Sequence, residues 1–180
     1  MRLFDLIRED FLANSHAKSR FVLVFFRTAN WSLNSGAVVR TLCIPLRIAY
    51  RVVVDWVMGI DIPCSTRIGR RAVLYHSHAL VINEAAIIGD DCILRHCVTI
   101  GNKITASGET GAPIVGNGVE FGAGAVVIGP ITIGDNSKIG ALSVVTRSVS
   151  AGSIMIGNPA RAIERPDPSP HSEPTRGATS

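Results

Sequence analysis

Residues 115–149 read VGNGVEFGAGAVVIGPITIGDNSKIGALSVVTRSV, with a large apolar residue at nearly every sixth position. That series is Val115, Phe121, Val127, Ile133, Ile139 and Val145. The same spacing occurs earlier, in Ile62, Ile68 and Leu74 and then in Ile82, Ile88, Leu94 and Ile100. Strands alternate with period two and helices with period 3.6, so a period of six predicts a solenoid whose hexads each form a short strand and a corner.

Small and turn-forming residues fill the rest of each hexad. Glycine follows four of the six residues in the later series, and Ala125, Ser137 and Ser143 stand four places after an inward residue. Cys92 stands at the same small-residue position, which favours packing as its role. Gly, Asn and Asp near the corners, such as Gly118 and Asn136, suit backbone with positive φ.

The hexad count predicts which residues stack without any structure. We assign Ile62, Ile68 and Leu74 to faces one, two and three of the first coil. The next coil begins at Ile82, eight residues after Leu74 rather than six, so that corner should bulge. Asp61, His76 and His96 are then expected along the edge between faces three and one, with successive coils about 4.8 Å apart.

An acid and a histidine on one edge have a chemical use. A neutral imidazole can take the proton from a hydroxyl that attacks an acyl group, and a carboxylate can fix its tautomer. We therefore predict His76 as general base and Asp61 as its orienting partner. The alternatives are a solvated corner histidine and a corner-capping carboxylate. His96 either binds the acceptor, shares the proton transfer or is structural.

Three runs carry a resemblance to a known family: Ile68-Gly69-Arg70-Arg71, Ile133-Gly134-Asp135-Asn136 and Gly157-Asn158-Pro159-Ala160-Arg161. They resemble hexapeptide-repeat acyltransferases, which implies a left-handed parallel β-helix, an exception to the usual right-handed crossover. Within that family the chain is similar to serine acetyltransferases, and more closely to short acetyltransferases of exopolysaccharide (colanic acid type) gene clusters. The resemblance matches His76 and Asp61 to the catalytic His–Asp pair.

Two departures from serine acetyltransferases bear on the acceptor. Their acidic residue before the catalytic histidine is replaced by Tyr75, and the loop 102–113 has no histidine. An amino-acid ammonium favours a carboxylate partner, whereas an aromatic ring favours a sugar. We predict an O-acetyltransferase acting on a sugar hydroxyl in exopolysaccharide biosynthesis, with Tyr75, His96 and Glu109 at the acceptor site. Glu109 could also restore the missing acid, so serine O-acetyltransferase is the alternative.

The resemblance also implies a donor and an assembly. Acetyl-CoA would lie as co-substrate in a groove between two β-helices of a homotrimer, so that active sites form between subunits. The matching positions are Gly101, Ala123 and Ala141 for the pantetheine arm, with Lys138 and Arg161 for its phosphates. Alternatively, the small residues only fill hexad positions. The C-terminal sequence implies no docking to cysteine synthase.

Residues 1–59 form a separate, helical and basic segment before the β-helix at 60–163. They hold eight Lys and Arg against four Asp and Glu. Between Ala37 and Met58, Arg40, Arg47, Arg51 and Asp55 fall on one helical face, which predicts an amphipathic helix kinked or divided near Pro45. Its expected role is packing on the β-helix or a neighbouring subunit, with membrane-surface docking as the alternative.

The remaining features limit the class of protein. No signal peptide or nucleic-acid motif is present, and the four cysteines lack metal or disulfide spacing, so we expect a cytoplasmic enzyme with free thiols and no metal. Residues 164–180, rich in Pro, Ser and Thr, are predicted to be a disordered tail. A non-catalytic β-helix scaffold, and a carbonic anhydrase that binds zinc through His76, His78 and His96, are the other candidate functions.

Overall fold

The N-terminal part of the chain is helical in the computed structural model, which describes residues 2–104, 108 and 110–163. The helices are α1 (Leu3–Ala13), α2 (Ala17–Leu33), α3 (Ala37–Leu42) and α4 (Ile44–Tyr50), and a π-helix, Arg51–Val57, continues α4. The predicted helix over 37–58 is divided at Cys43, just before Pro45, which lies in the first turn of α4. Within the described ranges, no helix has the length and apolar character needed to cross a membrane.

Short strands make up the rest of the described chain. In order they are β1 (Ile60–Asp61), β2 (Arg67–Ile68), β3 (Val73–Tyr75), β4 (Leu80–Ile82), β5 (Ile87–Ile88), β6 (Ile93–Arg95), β7 (Thr99–Gly101), β8 (Lys103–Ile104), β9 (Thr110–Gly111), β10 (Ile114–Val115), β11 (Glu120–Phe121), β12 (Val126–Ile128), β13 (Thr132–Ile133), β14 (Lys138–Ile139), β15 (Val144–Val145), β16 (Ile154–Ile156) and β17 (Arg161–Ile163). Strands β8 and β9 pair antiparallel at the base of the projecting loop.

Three parallel sheets form the three faces of a left-handed β-helix. Face one is β1-β4-β7-β12-β15, face two is β13-β10-β5-β2, and face three runs from β3 through β6, β11 and β14 to β16. The register pairs Ile82 with Ile100, Ile68 with Ile88 and Leu74 with Leu94. The stacking predicted from the hexad count is therefore confirmed, including the longer corner between Leu74 and Ile82.

The inward residues form one continuous apolar core. Every residue of the two hexad series is buried except Ile68, which is half-buried because β2 is an edge strand that α2 covers only in part. Ala125, Ser137, Ser143 and Cys92 are fully buried, which confirms the predicted packing role of the small position. Burial raises the pKa of the Cys92 thiol to about 11.

A ladder of side chains joins successive coils at the edge between faces two and three. The side chain of Asp90 accepts a hydrogen bond from the backbone N–H of Arg70 at 2.8 Å. The side chain of Asn117 accepts one from the backbone N–H of Asp90, also at 2.8 Å. Asp135 continues the series by accepting from the N–H of Asn117 at 2.7 Å. Each short polar side chain thus satisfies a corner donor that the β ladder leaves unpaired.

The helical segment covers the open end of the solenoid. Strand β3 is the edge of face three, and Asn14 bonds it twice, donating to the carbonyl of Ala72 at 2.8 Å and accepting from the N–H of Leu74 at 2.9 Å. The hydroxyl of Ser19 donates to the carbonyl of Leu74 at 2.6 Å. These bonds replace the neighbouring strand that an edge lacks.

A buried ion pair fastens the two long helices to the same end. Arg27 of α2 donates from Nε to Asp10 of α1 at 2.7 Å, and its other nitrogens donate to the carbonyls of Ile68 and Gly69. Both side chains are almost completely buried. Because every charge is paired and hydrogen-bonded, the desolvation cost is offset.

The segment 37–57 differs from the expected amphipathic packing. Only Tyr50 and Val54 are buried, whereas Val38, Leu42 and Trp56 are about three-quarters exposed, at 73%, 74% and 75%. Of the four charged residues predicted on one face, Arg40 and Arg51 are exposed, whereas Arg47 and Asp55 are half-buried. The apolar face of this segment is nevertheless largely exposed, since within one chain only the end of the β-helix packs against it.

At the other end of the solenoid the chain reverses. Strand β17 pairs antiparallel with β16, pairing Met155 with Ala162, and it closes that end of face three. The Asn158–Pro159 peptide bond between them is cis. The predicted tail at 164–180 lies outside the described residues.

Candidate active site

One edge of the prism, between faces three and one, carries the predicted histidines. His76 and His96 each stand two residues after an inward leucine, and those leucines, Leu74 and Leu94, pair in face three. The two imidazoles lie side by side, with ring centroids 6.2 Å apart and planes nearly perpendicular. Both side chains are exposed. The predicted stack of His76 and His96 is therefore present.

A third imidazole joins them from the helical segment. His16, the residue before α2, lies with its ring centroid 5.2 Å from that of His76. No sequence pattern assigns a role to His16, because it lies sixty residues before His76 and outside the repeat. The only local signal was the polar run Asn14-Ser15-His16 between two helices.

Tyr75 adjoins this row, and two neighbouring side chains contact its partly exposed ring. The guanidinium of Arg95 lies over the ring at 5.2 Å from its centroid, a cation–π contact between paired residues of β3 and β6. His16 approaches the ring at 6.2 Å with its plane nearly perpendicular. Arg95 was not predicted, although cross-strand pairing with Tyr75 follows from the hexad register.

Asp61 does not lie on the histidine edge, which corrects the predicted stack. It occupies the outward position of β1, one residue before the inward Ile62, and pairs with Val81 in face one. Residues one place from the inward residue point away from the core within a strand, whereas His76 and His96, two places on, lie at the corner. Among the described residues, no hydrogen bond joins Asp61 to His76.

Asp61 instead lines a groove of about 390 Å³ beside the helical segment, together with Arg51, Asp55 and Glu84. Partial burial raises the pKa of the Asp61 carboxyl, and the nearby Asp55 raises it further while Arg51 opposes the shift. A different histidine, His78, lies beside the start of β1. Its ring is 3.8 Å from the position that a Cβ atom at Gly59 would occupy. Whether Asp61 orients His76 stays a prediction.

The predicted donor positions fall partly on the histidine edge. Ala123 and Ala141 each stand two residues after an inward residue of face three, as His76 and His96 do, so the four occupy successive corners. The N–H of Leu142 donates to the carbonyl of Ala123 at 2.9 Å, which holds these corners together. Gly101 lies apart, in face one, opposite Ile128.

The two predicted phosphate ligands differ in their surroundings. Lys138 forms an ion pair of 2.7 Å with Glu120, so its charge is already balanced within the chain. Arg161 is exposed in β17, and the one hydrogen bond that its side chain makes to a described residue goes to the carbonyl of Ala160. Glu109 lies outside the described residues. Within the described ranges, no three His, Cys, Asp or Glu side chains are grouped to hold a metal ion.

Known proteins resemble this chain in sequence and in fold. The sequence family described as bacterial transferase hexapeptide (six repeats) matches residues 112–147. A protein of Escherichia coli that is provisionally named as the colanic acid biosynthesis acetyltransferase WcaB is 41% identical over 117 residues, which cover 65% of this chain and 71% of that protein. The chain belongs to the hexapeptide-repeat acetyltransferases.

Serine acetyltransferases are related to this hexapeptide-repeat acetyltransferase as well. The one from Mycobacterium tuberculosis is 36% identical over 147 residues, covering 80% of this chain and 60% of its own length. The structure of soybean serine acetyltransferase superposes with a TM-score of 0.75 at 29% identity, over 89% of this chain and 69% of that one. The protein is thus an acyltransferase, and acetyltransferases use acetyl-CoA as the donor. Its relatives include both acetyltransferases of colanic acid biosynthesis and serine acetyltransferases.

Proposed function

We propose that this acetyltransferase transfers the acetyl group of acetyl-CoA to a sugar hydroxyl, with His76 as general base. The observation that carries the choice of acceptor is the Tyr75–Arg95 pair beside His76. An amino-acid ammonium favours a carboxylate partner, but beside His76 the chain has an aromatic ring with a guanidinium over it, whereas a neutral sugar needs no such partner. The exopolysaccharide role predicted from the sequence is consistent with that choice.

In the proposed reaction the His76 imidazole takes the proton of the acceptor hydroxyl while its oxygen attacks the thioester carbonyl. The tetrahedral intermediate then collapses, the C–S bond breaks, and the imidazolium returns the proton to the leaving thiolate. The products are an acetyl ester and coenzyme A, so atoms and charges balance. Asp61 as the orienting residue is part of the proposal, and it requires the carboxylate to reach His76 from the neighbouring face.

For the donor we propose the row of corners that continues the histidine edge, facing the histidines of a neighbouring subunit. Ala123 and Ala141 place small side chains at two successive corners, so a pantetheine arm can approach the backbone there, and Gly101 and Arg161 would contact it further along. Lys138 would have to exchange Glu120 for a phosphate. We further propose a homotrimer in which a second chain closes this groove, because exposed backbone along one edge gives a flexible arm only one wall.

The test is coenzyme A release from acetyl-CoA with a panel of monosaccharides and nucleotide sugars, and separately with L-serine. Turnover with a sugar and none with serine is the expected result. His76→Ala should reduce the rate about 10²- to 10⁴-fold, the usual contribution of a general base, while the oligomer remains intact. Full activity in that variant would refute the base assignment and favour a scaffold.

Serine is the second candidate acceptor, and one observation favours it specifically. The guanidinium of Arg95 can pair with an amino-acid carboxylate, and Glu109 of the loop could receive the ammonium. Arg95→Gln separates the two functions. If serine is the acceptor, this variant should abolish turnover of serine. If a sugar is the acceptor, turnover of the sugar should change little.

Contact of the helical segment with a membrane surface stays a prediction. Its motivation is the exposed apolar side chains of Val38, Leu42 and Trp56 beside the exposed Arg40 and Arg51. Flotation with anionic liposomes tests it, with Trp56→Ser as the variant. Protein that stays at the bottom of the gradient with both lipid compositions, neutral and anionic, would reject the contact.

A further inference from the structure

His16 has an unusual combination of position and unused polar atoms. It precedes α2 as the cap residue, yet its side chain makes no capping hydrogen bond. Its imidazole is exposed, and no described residue hydrogen-bonds to it. The ring contacts those of His76 and Tyr75, at centroid distances of 5.2 and 6.2 Å. Two ring nitrogens with no hydrogen-bond partner among the described residues therefore stand next to the proposed base.

The turn that carries His16 is fixed to the strand that carries His76. Asn14, two residues before His16, bonds both the carbonyl of Ala72 and the N–H of Leu74. Ser19, three residues after it, bonds the carbonyl of Leu74. Both anchoring side chains are buried. His16 is therefore held over the end of β3 from both sides, which is the support that a binding residue needs.

The three imidazoles form a row with the proposed base in the middle. His16 flanks His76 on the helical side, and His96 flanks it in the next coil, 6.2 Å away. A neutral imidazole offers one donor and one acceptor, which suits a hydroxyl that is also both. A polyhydroxylated acceptor presents further hydroxyls on either side of the one that reacts.

We propose that His16 is an acceptor-binding residue of this acetyltransferase, which hydrogen-bonds a hydroxyl adjacent to the one that His76 deprotonates. The helical segment thereby contributes directly to acceptor specificity, besides covering the end of the β-helix. This inference deepens the proposed function and rests on it for the class of acceptor.

Three substitutions separate hydrogen bonding from ring packing. His16→Gln keeps a donor and an acceptor without the ring, His16→Phe keeps an aromatic ring without either, and His16→Ala removes both. Lys18→Ala, an exposed change on the same turn, is the matched control. Steady-state kinetics should be measured for the acceptor and for acetyl-CoA separately, with the full-length protein.

We expect His16→Phe and His16→Ala to raise the acceptor KM about 3- to 10-fold, the effect of losing one hydrogen bond, with the KM for acetyl-CoA unchanged. His16→Gln should recover most of the loss, and Lys18→Ala should match the wild type. Recovery by Phe rather than Gln, or equal effects on both KM values, would overturn the proposal.

This experiment tests the proposed acceptor class and the proposed role of His16 separately. If the wild type turns over L-serine and no sugar, the proposed acceptor is wrong, and the His16 variants are then measured with serine. A normal serine KM in His16→Ala would overturn the inference about His16 too. Absence of turnover with every acceptor in the panel would reject both proposals together.

Discussion

At the scale of single residues, the backbone of His76 is the most informative feature of the site. Its φ of 53° lies in the left-handed region, where a side chain with a Cβ costs roughly 1–2 kcal/mol. Strain of this kind is retained where the surrounding structure enforces it, and it is common at functional sites. Here the longer corner between Leu74 and Ile82 imposes the conformation.

This conformation predicts an unusual order of stability for two variants of the proposed base. His76→Gly should be more stable than His76→Ala by about 1 kcal/mol, because glycine adopts positive φ without strain. Urea unfolding measures the difference. The matched pair His96→Gly and His96→Ala should show the reverse order, since His96 is not among the residues with positive φ. Equal behaviour of the two pairs would contradict the left-handed corner at His76.

The corners also show what residue chemistry could and could not predict. Gly118 and Asn136 adopt positive φ, as turn propensities indicate, but so do Arg71, Cys97 and Leu142. In those three cases the coil geometry, fixed by the inward residues on either side, overrides the preference of the corner residue. The register could therefore be predicted from the period of six, whereas only the structure shows which residues adopt the left-handed conformation.

At the scale of elements, the turn between α1 and α2 acts as the missing neighbour of strand β3. Its function depends on Asn14, whose amide pairs with the backbone on both sides of Val73, as a strand would. No sequence pattern predicts this contact, because it joins residues about sixty positions apart through tertiary packing alone. The position of His16 beside His76 could not be predicted either, because it depends on the same tertiary packing. His76 and His96 could be predicted because the repeat determines where they lie.

Removing the Asn14 side chain should therefore destabilise the end of the β-helix. Asn14→Ala leaves a buried N–H and a buried carbonyl unpaired, and each unsatisfied group costs about 1–3 kcal/mol. Thermal unfolding should show the loss, and hydrogen exchange should place it at residues 72–75. Asn34→Ala is the control, since Asn34 bonds only to its own helix at the exposed end of α2. An equal loss in both variants would argue against the capping role.

Helix α1 is attached to the β-helix by charge as well. Glu9 accepts a hydrogen bond from Arg70 at 2.7 Å, and Arg71 donates to Asp91 at 2.6 Å. The bond from Arg70 lowers the pKa of Glu9 below its usual 4.5, and the bond from Arg71 lowers that of Asp91. A carboxyl with a lowered folded-state pKa stabilises the protein above its unfolded pKa and loses that contribution as pH falls.

Stability should consequently decrease as the pH is lowered below 4.5, where Glu9 begins to protonate in the unfolded chain. Glu9→Gln should lower the Tm at pH 7 and flatten its decline in this acid range. Asp5→Asn, an exposed change on the same helix, should leave the profile unchanged. A Tm–pH curve for Glu9→Gln that parallels the wild type down to pH 3 would contradict the contribution of this pair.

At the scale of the whole molecule, the histidine edge and the row of small corners form one continuous line. If a second chain of a trimer closes that line, each active site combines His76 of one subunit with Ala123 and Ala141 facing from the next. Sedimentation should then give three times the 19.2 kDa of one chain.

Mixing two inactive variants tests the shared site. His76→Ala removes the proposed base, and Ala141→Phe obstructs the proposed donor groove at an exposed position. In trimers refolded from an equal mixture, about a quarter of the sites would combine an intact base with an intact groove from different chains. Activity near that fraction is expected. No recovery above the separate variants would place base and donor groove on the same subunit.

The straight edge from His76 to Gly157 has a further consequence. It spans four coil steps, roughly 19 Å at the spacing of paired strands. If the donor lies along this edge as proposed, the number of coils sets the length of donor that fits the site. Adding one 18-residue coil between Ala123 and Ala141 would leave the acetyl end at the histidines and move the far end by about 4.8 Å, which would favour donors with a longer arm.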